Sequence, residues 1–527
     1  MSASSTWPDN GIHTRTRKAD TLILILGDQL DPSYLRTLEA SKDEHVVLMM
    51  ELENESEHAP SHVQRTVLFL SAMRHAALDL ASDGWDVHYT ALDDRGNTQN
   101  FKDKLTRMIE RFGAREVRVI RPGEWRVQQE IEDACDDSGV ELRVDEDPHF
   151  LCSIDEFCEW AEGRKQLVME FFYRKMRKDL GILIDENGNP ESGQWNFDKD
   201  NRASFRDRPR PPEPVEYSAD EITRGVIDLV TKRMDLPGKI ESFNFPVTRR
   251  QALAALRRFL DDRIEKFGPY QDAMWTGEHF LYHSMISTSL NLKLINPREV
   301  VERTLEAHRE NNLPLNSVEG FIRQIIGWRE FIRGVYYFEG PDYPERNELG
   351  HDGALPEFYW DAETNMACMK HALRSVVGHA YGHHIARLMV TGNFALISGI
   401  DPQKVHAWYL GMYADAVEWA TAPNTIGMAL HADGGVVGTK PYCSSGNYIN
   451  KMSNYCKDCG YNRSKRSGDD ACPFNVFYWD FLNRHKKRFS KNNRMSLILK
   501  NLDRIDNDEM QQITVSAKTM RKKFGIS

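Results

Sequence analysis

The sequence predicts an α/β domain followed by a large all-helical domain. Two patterns carry this prediction: short apolar runs alternate with amphipathic segments in the first part of the chain, and helical periodicity dominates the rest. The predicted divisions are a flexible N-terminus at 1–19, the α/β domain at 20–150, an interdomain connector at 151–244 and the helical domain at 245–527.

Four strands are predicted in the α/β domain, each a short apolar run of the kind that parallel sheets bury on both faces. Helical patterns at 63–81 and 101–112 lie between them, which makes the sheet doubly wound. Ligands of such sheets bind at the carboxyl ends of the strands, where GDQL (27–30) stands, but no G-x-G-x-x-G motif indicates a dinucleotide there. The predicted strands cover 21–27, 46–52, 87–90 and 117–120.

The rest of the chain is predicted to be helical after a long connector. Residues 185–218 are rich in Asn, Asp, Gly, Pro and Arg, which is typical of a connector, although they include the aromatic sequence QWNFD. Beyond them, helical spacing of apolar residues predicts helices separated by turns rich in Pro and Gly. Three of these predicted helices cover 249–267, 318–337 and 366–391.

Composition describes a globular protein and limits its functions. Hydrophobic residues make up 40% and charged residues 28% of the 527 positions, and no apolar run approaches the roughly 20 residues that span a membrane. Eight cysteines in so long a chain do not form a disulfide framework, so we expect a protein of the reducing cytoplasm. We also expect a monomer. The net charge of −11 argues against uniform coating of nucleic acid. Basic and aromatic residues interleave over 451–500, which fits either local phosphate binding or a solvated helix face.

Four cysteines in the C-terminal half predict a metal site. Cys456, Cys459 and Cys472 have the spacing C-x2-C-x12-C, and Cys368 lies far upstream of them. Thiolates bind soft metals, so four of them can ligate zinc or an iron–sulfur cluster. The Cys-Pro ending and the lack of a second C-x-x-C favour a cluster slightly. The alternative is a core thiol at Cys368 and an incidental C-x-x-C pair.

Polar and aromatic residues are dense in four segments of the helical domain. Buried polar groups are costly unless they are paired, so this density predicts a large polar ligand inside the domain. Helix caps and hydrogen bonds between helices explain any one segment, but less easily all of them. The segments are 275–294, 318–338, 379–389 and 413–428.

These motifs resemble the photolyase/cryptochrome family. GWREFIRGVYYF resembles the WREF signature of that family, and STSLN (287–291) resembles its phosphate-binding segment. HHIARLM resembles the His-His-x-x-Arg of (6-4) photolyases. The cysteine spacing, GDQL, PGEWR (122–126), QWNFDKDNR and GTKPYCSSGNYINKM (438–452) resemble the bacterial iron–sulfur branch, the prokaryotic (6-4) photolyases. The resemblance covers nearly the whole chain beyond residue 20.

The resemblance implies three bound groups. A [4Fe–4S] cluster would be held by Cys368, Cys456, Cys459 and Cys472. An antenna pigment, 6,7-dimethyl-8-ribityllumazine, would occupy the α/β domain, with Glu55 facing it and Asp28 nearby. FAD would be buried in the helical domain. The matching FAD-binding residues are His283, Ser284, Ser287, Thr288, Ser289, Arg329, Arg387, Asp415, Glu418 and Asn424.

The resemblance also implies light-driven repair of (6-4) pyrimidine–pyrimidone photoproducts in UV-damaged DNA. Reduced FAD would supply the electron and His384 the proton, since histidine titrates near neutrality. Two positions depart from the family pattern: Leu388 replaces a second histidine, and Thr421 stands near the position of a flavin-facing asparagine. The lesion pocket would also involve His383, Gln324, Tyr442 and Tyr448.

An electron relay and a cation site are further expectations from the branch. Trp408, Tyr409 and Trp360 are the candidate relay, because aromatic side chains carry a hole over short hops. Asp198 and Asp272 are candidates to hold a divalent cation such as Mg near the DNA cleft, since hard cations prefer carboxylate oxygens. The alternative for these two is a pair of ordinary hydrogen-bonding aspartates.

Two other functions fit parts of the sequence. A blue-light cryptochrome would use the same flavin without repairing DNA. A non-photochemical iron–sulfur nucleic-acid-binding protein, similar to the large subunit of primase, would use only the cysteines and the basic region.

Overall fold

The computed structural model describes residue 12, residues 18–57 and residues 59–527. The prediction of a flexible N-terminus at 1–19 falls mostly outside these residues. A five-stranded parallel sheet has the order β3-β2-β1-β4-β5, so the predicted α/β class is confirmed. The strands are β1 Thr21–Leu24, β2 His45–Met50, β3 Val87–Thr90, β4 Glu116–Ile120 and β5 Glu141–Asp145.

The fifth strand was not predicted. Its sequence ELRVD is mostly charged, and its residues are exposed or half-buried, because β5 forms an edge of the sheet. An edge strand with little buried surface leaves no apolar run to recognise.

Helices cover both faces of the sheet. Alternate residues of β1 separate the two cores: Leu22 and Leu24 pack with helix α4, and Ile23 packs with helix α3. The helix α3 lies between the sheet and α8 of the connector, so it joins the α/β domain to the rest of the chain in one core. The helices of this part are α1 Tyr34–Thr37, α2 Asn54–Glu57, α3 Val63–Ser82, α4 Phe101–Phe112, α5 Trp125–Ser138, α6 Ile154–Ala161, α7 Met169–Leu180 and α8 Glu221–Arg233.

The remaining chain is helical, as predicted. Three short 3₁₀ turns lie at Tyr343–Glu345, Tyr455–Asp458 and Asn493–Met495. The α-helices are α9 Arg249–Asp262, α10 Ile264–Tyr270, α11 Ser287–Asn291, α12 Pro297–Asn311, α13 Leu315–Ile322, α14 Glu330–Glu339, α15 Phe358–Asp361, α16 Ala367–His379, α17 Asn393–Ser398, α18 Pro402–Met412, α19 Glu418–Ala422, α20 Gly446–Met452, α21 Pro473–Arg484, α22 Lys486–Phe489, α23 Ser496–Leu502 and α24 Asn507–Lys523.

Two of the predicted helices are interrupted. The helix predicted at 249–267 breaks at Arg263, between α9 and α10. The helix predicted at 366–391 ends at His379, because Ala380 takes a left-handed conformation with φ 49° and the next three residues are not helical. Periodicity alone does not reveal such a break, since the apolar spacing continues on both sides of it. Of the described helices, none is long and apolar enough to cross a membrane.

Candidate active site

A cavity of about 2150 Å³, including the part open to solvent, lies in the helical domain. Three π-helical segments contribute to its wall: Arg323–Arg329, Ala386–Gly392 and Pro423–Ala429. A π turn carries an extra residue and is frequent at functional sites. Two of the segments pack closely, because a Cβ on Gly392 would lie 2.9 Å from the Cβ of Ala429. Wide helical turns packed against one another therefore form much of the cavity wall.

An ion pair between Arg387 and Asp415 forms part of this wall. The Nη2 atom of Arg387 lies 2.9 and 3.1 Å from the two carboxylate oxygens of Asp415. The guanidinium also lies 3.9 Å from the ring centre of Tyr413, and its Nε donates to the carbonyl of Gly382. These contacts fix the orientation of Arg387 at the start of the second π segment.

Several buried polar atoms at this cavity make no hydrogen bond with any described residue. They include Nε2 of His283, Nε and Nη2 of Arg329 and Oγ1 of Thr425. The hydroxyls of Thr288 and Ser289, in the predicted phosphate-binding segment, are also without partners. A buried polar group left unpaired costs about 1–3 kcal/mol. The unpartnered atoms of the cavity lining, those of His283, Arg329 and Thr425, therefore indicate a polar ligand that supplies the missing hydrogen bonds.

His383 and His384 are adjacent in sequence but have different surroundings. His383 is buried, and its ring stacks on His283 with 4.6 Å between ring centres. The His384 side chain is exposed to the cavity and makes no hydrogen bond within the described chain. Its position deep in the protein, and then the charge of Arg387, lower the pKa of His384 to about 4. Its ring is therefore neutral at pH 7 and accessible to a ligand.

The structure brings together many of the residues predicted to bind FAD or the lesion. Glu418 does not line the cavity: its carboxylate accepts a hydrogen bond of 2.6 Å from Tyr336 behind the wall. Thr288, Ser289 and Tyr448 also lie outside the lining. The predicted residues that line the cavity are His283, Ser284, Ser287, Gln324, Arg329, His383, His384, Arg387, Asp415, Asn424 and Tyr442.

The candidate electron relay forms a chain of ring contacts that begins at the cavity. Tyr409 lines the cavity, and its ring centre lies 5.4 Å from that of Trp408. The buried Trp408 ring lies 5.1 Å from Tyr359, which directly precedes Trp360. Tyr359, which the sequence did not single out, thus extends the ring contacts beyond Trp408, whereas no ring contact among the described residues includes Trp360.

Asp198 and Asp272 lie at the edge of the same cavity. A carboxylate oxygen of Asp198 lies 2.5 Å from Nη2 of Arg323, so this side chain already has a cationic partner. Burial raises the pKa of Asp272 to about 6. Within the described residues, no three His, Cys, Asp or Glu side chains converge on a single-ion site. The predicted cation therefore stays a prediction.

A second cavity, of about 1200 Å³ including its open part, lies at the carboxyl ends of β1 and β2. Asp28 and Glu55, the predicted antenna residues, both line it, together with Glu124 and Arg126. Its other wall is shared with the helical domain, since Leu410 and Val417 contribute apolar side chains. The two cavities are separated by the segment that joins α18 to α19, because Ala416 and Trp419 line the larger one.

The four predicted cysteines surround a small cavity of about 360 Å³. Cys368 lies in the first turn of α16, Cys456 lies within a 3₁₀ turn that Cys459 follows, and Cys472 precedes α21. Gly446 leaves room for them, since a Cβ there would lie 3.1 Å from Sγ of Cys472. Burial, and then the neighbouring cysteines, raise the pKa of the Cys368 thiol well above its usual range. A bound metal cation would stabilise such neighbouring thiols as thiolates.

Known proteins share this fold and sequence. A family model described as deoxyribodipyrimidine photo-lyase-related protein matches residues 23–245. A (6-4) photolyase of Agrobacterium fabrum is 44% identical over 506 residues, which cover 95% of this chain and 99% of the relative. The chain belongs to the photolyase/cryptochrome family. The resemblance inferred from the motifs is thereby confirmed.

Solved structures of this family confirm the predicted fold class. A class III photolyase of Agrobacterium tumefaciens matches with a TM-score of 0.54 and 15% identity, covering 98% of this chain and 100% of the other. A Synechocystis cryptochrome matches with a TM-score of 0.53 and 13% identity, covering 98% and 95%. At such low identity these likenesses concern the fold alone.

Sequence reasoning missed several residues that the structure brings to the two cavities. Arg65, Glu124 and Trp419 stand at the boundary between the domains, far apart in sequence. No spacing rule joins such positions, because the domain interface brings them together. The π-helical segments were also missed, since an added residue in a turn does not disturb the apolar pattern enough to be seen.

Proposed function

We propose that this protein repairs (6-4) pyrimidine–pyrimidone photoproducts in UV-damaged DNA with the energy of light. The observation that carries the proposal is His384, an unpartnered imidazole exposed to a deep cavity beside the Arg387–Asp415 pair. Support also comes from the (6-4) photolyase to which the chain is 44% identical. A flipped, poorly stacked lesion costs less to extrude than intact bases, so a deep pocket favours damaged DNA.

The residues of the large cavity fit FAD. When bound there, reduced FAD supplies the light-driven electron. The Arg387–Asp415 pair offers a donor and an acceptor to a polar heterocycle. The hydroxyl of Ser287, the residue of α11 that begins the segment and lines the cavity, suits a phosphate group, and the N–H groups of Arg329 that have no hydrogen-bond partner suit another polar edge. Apolar residues of the π segments exclude water around them.

His384 acts in this proposal as the proton donor to the lesion. Because its pKa is about 4 in the surroundings described, the ring must gain a proton when DNA binds. The phosphates of the bound DNA would raise this pKa, since a nearby negative charge favours the imidazolium. Gln324 and Tyr442 line the same cavity and would orient the lesion bases.

Replacing His384 by Ala should abolish light-dependent repair, with a loss of about 10²-fold or more. Flavin content and affinity for lesion-containing DNA should stay at wild-type values, because the ring supports no described contact. Repair by the wild type should fall as the pH rises, since the protonated ring is the donor. The measurement is the decrease of (6-4) lesions in defined DNA under blue light, with a dark sample beside it.

His379→Ala is the matched control, because that half-buried histidine does not line the cavity. It should repair normally. Wild-type repair by His384→Ala and loss of repair by His383→Ala would move the donor role to His383. Normal repair by both would contradict the mechanism.

The repair assay also distinguishes a photolyase from the cryptochrome alternative. A cryptochrome with no repair function would hold flavin and undergo photoreduction, but it would leave the lesions unchanged. The primase-like alternative loses its basis, because the family assignment covers nearly the whole chain.

The four cysteines are proposed to hold a [4Fe–4S] cluster. Their side chains enclose one cavity, yet no three of them are arranged around a single ion. The C-x2-C-x12-C spacing with its Cys-Pro ending supports a cluster over a zinc ion. The ligands come from α16, the 3₁₀ turn and α21, so the cluster would connect distant segments of the helical domain and contribute to its folding.

Replacing Cys368 by Ser should remove bound iron and sulfide and lower the yield of soluble protein, because ligation and folding are coupled. Iron and sulfide analysis, together with the visible absorption spectrum, provides the measurement. Cys443→Ser is the control, since that half-buried cysteine lies outside the small cavity. Soluble Cys368→Ser protein with full iron and sulfide would show that the ligand set is wrong.

Three further parts of the proposal rest on the family resemblance. A lumazine antenna would occupy the second cavity near Glu55 and Asp28. Electrons would reach the flavin through Trp408, Tyr409 and Trp360. Slower light-driven reduction of the flavin in Trp408→Phe would support this relay. A divalent cation between Asp198 and Asp272 would make repair sensitive to EDTA. Cytoplasmic location and a monomeric state also remain proposals.

A further inference from the structure

The polar wall of the second cavity holds more carboxylates than cations. Glu55 and Glu124 both line this cavity and share the guanidinium of Arg126. Its Nη2 atom lies 2.8 Å from Glu55 and 3.0 Å from Glu124, and its Nη1 atom lies 2.8 Å from Glu130. One cation therefore serves three carboxylates. Like charges this close favour protonation of the least exposed among them, which is Glu124 with 20% of its side chain exposed, against 40% for Glu55 and 25% for Glu130.

Other groups around Glu124 do not remove this excess. Arg65 also lines the cavity and its charge favours the ionised form of Glu124, but its hydrogen bonds go to neutral oxygens, Oγ of Ser61 and the carbonyl of Ala416, each at 3.3 Å. Glu418 approaches from the helical domain and adds a further negative charge. Several ionisable groups face this site or its neighbours. They are Glu51 with its partner Arg74, Glu55 after β2, Arg65 on α3, Arg126 and Glu130 on α5, Glu418 on α19, Tyr336 on α14, His406 on α18, and Asp28 with its partner Lys293.

The surroundings indicate which carboxyl group holds the proton. Glu418 accepts a 2.6 Å hydrogen bond from the hydroxyl of Tyr336, which stabilises its charged form. Glu55 receives two hydrogen bonds from Arg126, at 3.2 and 2.8 Å. Glu124 receives a single one from the same guanidinium, at 3.0 Å. Burial, and then the charge of Glu418, raise the pKa of Glu124 to about 8.

We propose that Glu124 is a neutral carboxylic acid in the second cavity and donates a hydrogen bond to the bound pigment. This inference rests on the proposed antenna function and adds a specificity-determining residue to it. The carboxyl oxygens of Glu55 offer an acceptor on the same wall, and Arg65 offers a donor. The wall therefore recognises a heterocycle whose polar edge carries carbonyl or ring-nitrogen acceptors next to an N–H group, as in a pteridine ring.

The consequence is a characteristic pH dependence of pigment binding. Below about pH 8 the protonated carboxyl group of Glu124 donates a hydrogen bond to the pigment. Above about pH 8 the carboxylate has no proton to donate, and its negative charge repels the acceptor atoms of the pigment. If the pigment binds the acid form alone, its dissociation constant rises up to about tenfold for each pH unit above that value. Glu124→Gln keeps an N–H donor of similar shape that does not titrate, so this part of the pH dependence should vanish.

The test measures binding of 6,7-dimethyl-8-ribityllumazine by fluorescence to flavin-containing protein produced without the pigment. The wild type should bind progressively more weakly from about pH 8 to about pH 10. Glu124→Gln should bind at least as tightly at pH 7 and show a flatter profile. Any titration of the pigment itself is common to both proteins and cancels in the comparison. Glu130→Gln is the control, because its carboxylate binds Arg126 without lining the cavity.

Two results would overturn the inference while leaving the antenna proposal intact. One is an identical pH profile in the wild type and Glu124→Gln. The other is loss of binding by Glu124→Gln at pH 7. Absence of binding in every protein at every pH would instead contradict the antenna proposal and, with it, the inference.

A second measurement does not depend on the pigment. Infrared difference spectra between about pH 6 and about pH 10 should show the C=O band of a protonated carboxyl group in the wild type. The band should be absent from Glu124→Gln and present in Glu130→Gln. Its persistence in Glu124→Gln would assign the proton to another carboxylate and overturn the inference.

Discussion

The main constraint on this structure is a large polar cavity in the interior of a helical domain. Apolar helices pack to high density, so the interior part of this cavity must be held open by specific contacts. The Arg387–Asp415 pair and the three π-helical segments supply them. Burying an ion pair yields little net stability unless further hydrogen bonds satisfy both partners. Its position beside unpartnered polar atoms is therefore best explained by a ligand that completes the network.

The second constraint is the thin boundary between the two cavities. The chain from Ala416 to Trp419 contributes residues to both walls, and the backbone N–H of Trp419 donates to the carbonyl of Gly123. A Cβ on Gly123 would lie 2.9 Å from the indole of Trp419, so only glycine permits this approach. Two pigments held in these cavities would be close neighbours, which suits the transfer of excitation energy from an antenna to a flavin.

Much of the fold could be predicted from the sequence, because it depends on local patterns. The runs that predicted β1 and β2 are apolar on both faces and those that predicted β3 and β4 are apolar on at least one face, whereas β5 lies at an edge and carries charges. The break at Ala380 was not predictable, since its positive φ depends on the surrounding packing. The motifs placed Arg387, Asp415 and His384 at one site. They could not reveal Glu124 or Arg65, whose surroundings arise only when the two domains pack together.

The central claim is that the cavity binds FAD through the Arg387–Asp415 pair, and one measurement tests it most directly. Flavin content per protein should be compared between the wild type, Asp415→Asn and Asp480→Asn. Asp480→Asn is the control for general loss of stability, because Asp480 is also a carboxylate paired with arginines. It is buried and binds Arg484 and Arg521 outside the cavity. The account predicts about tenfold weaker flavin binding for Asp415→Asn, because a charged partner is lost, and wild-type content for folded Asp480→Asn. Full flavin content and normal photoreduction in Asp415→Asn would contradict it.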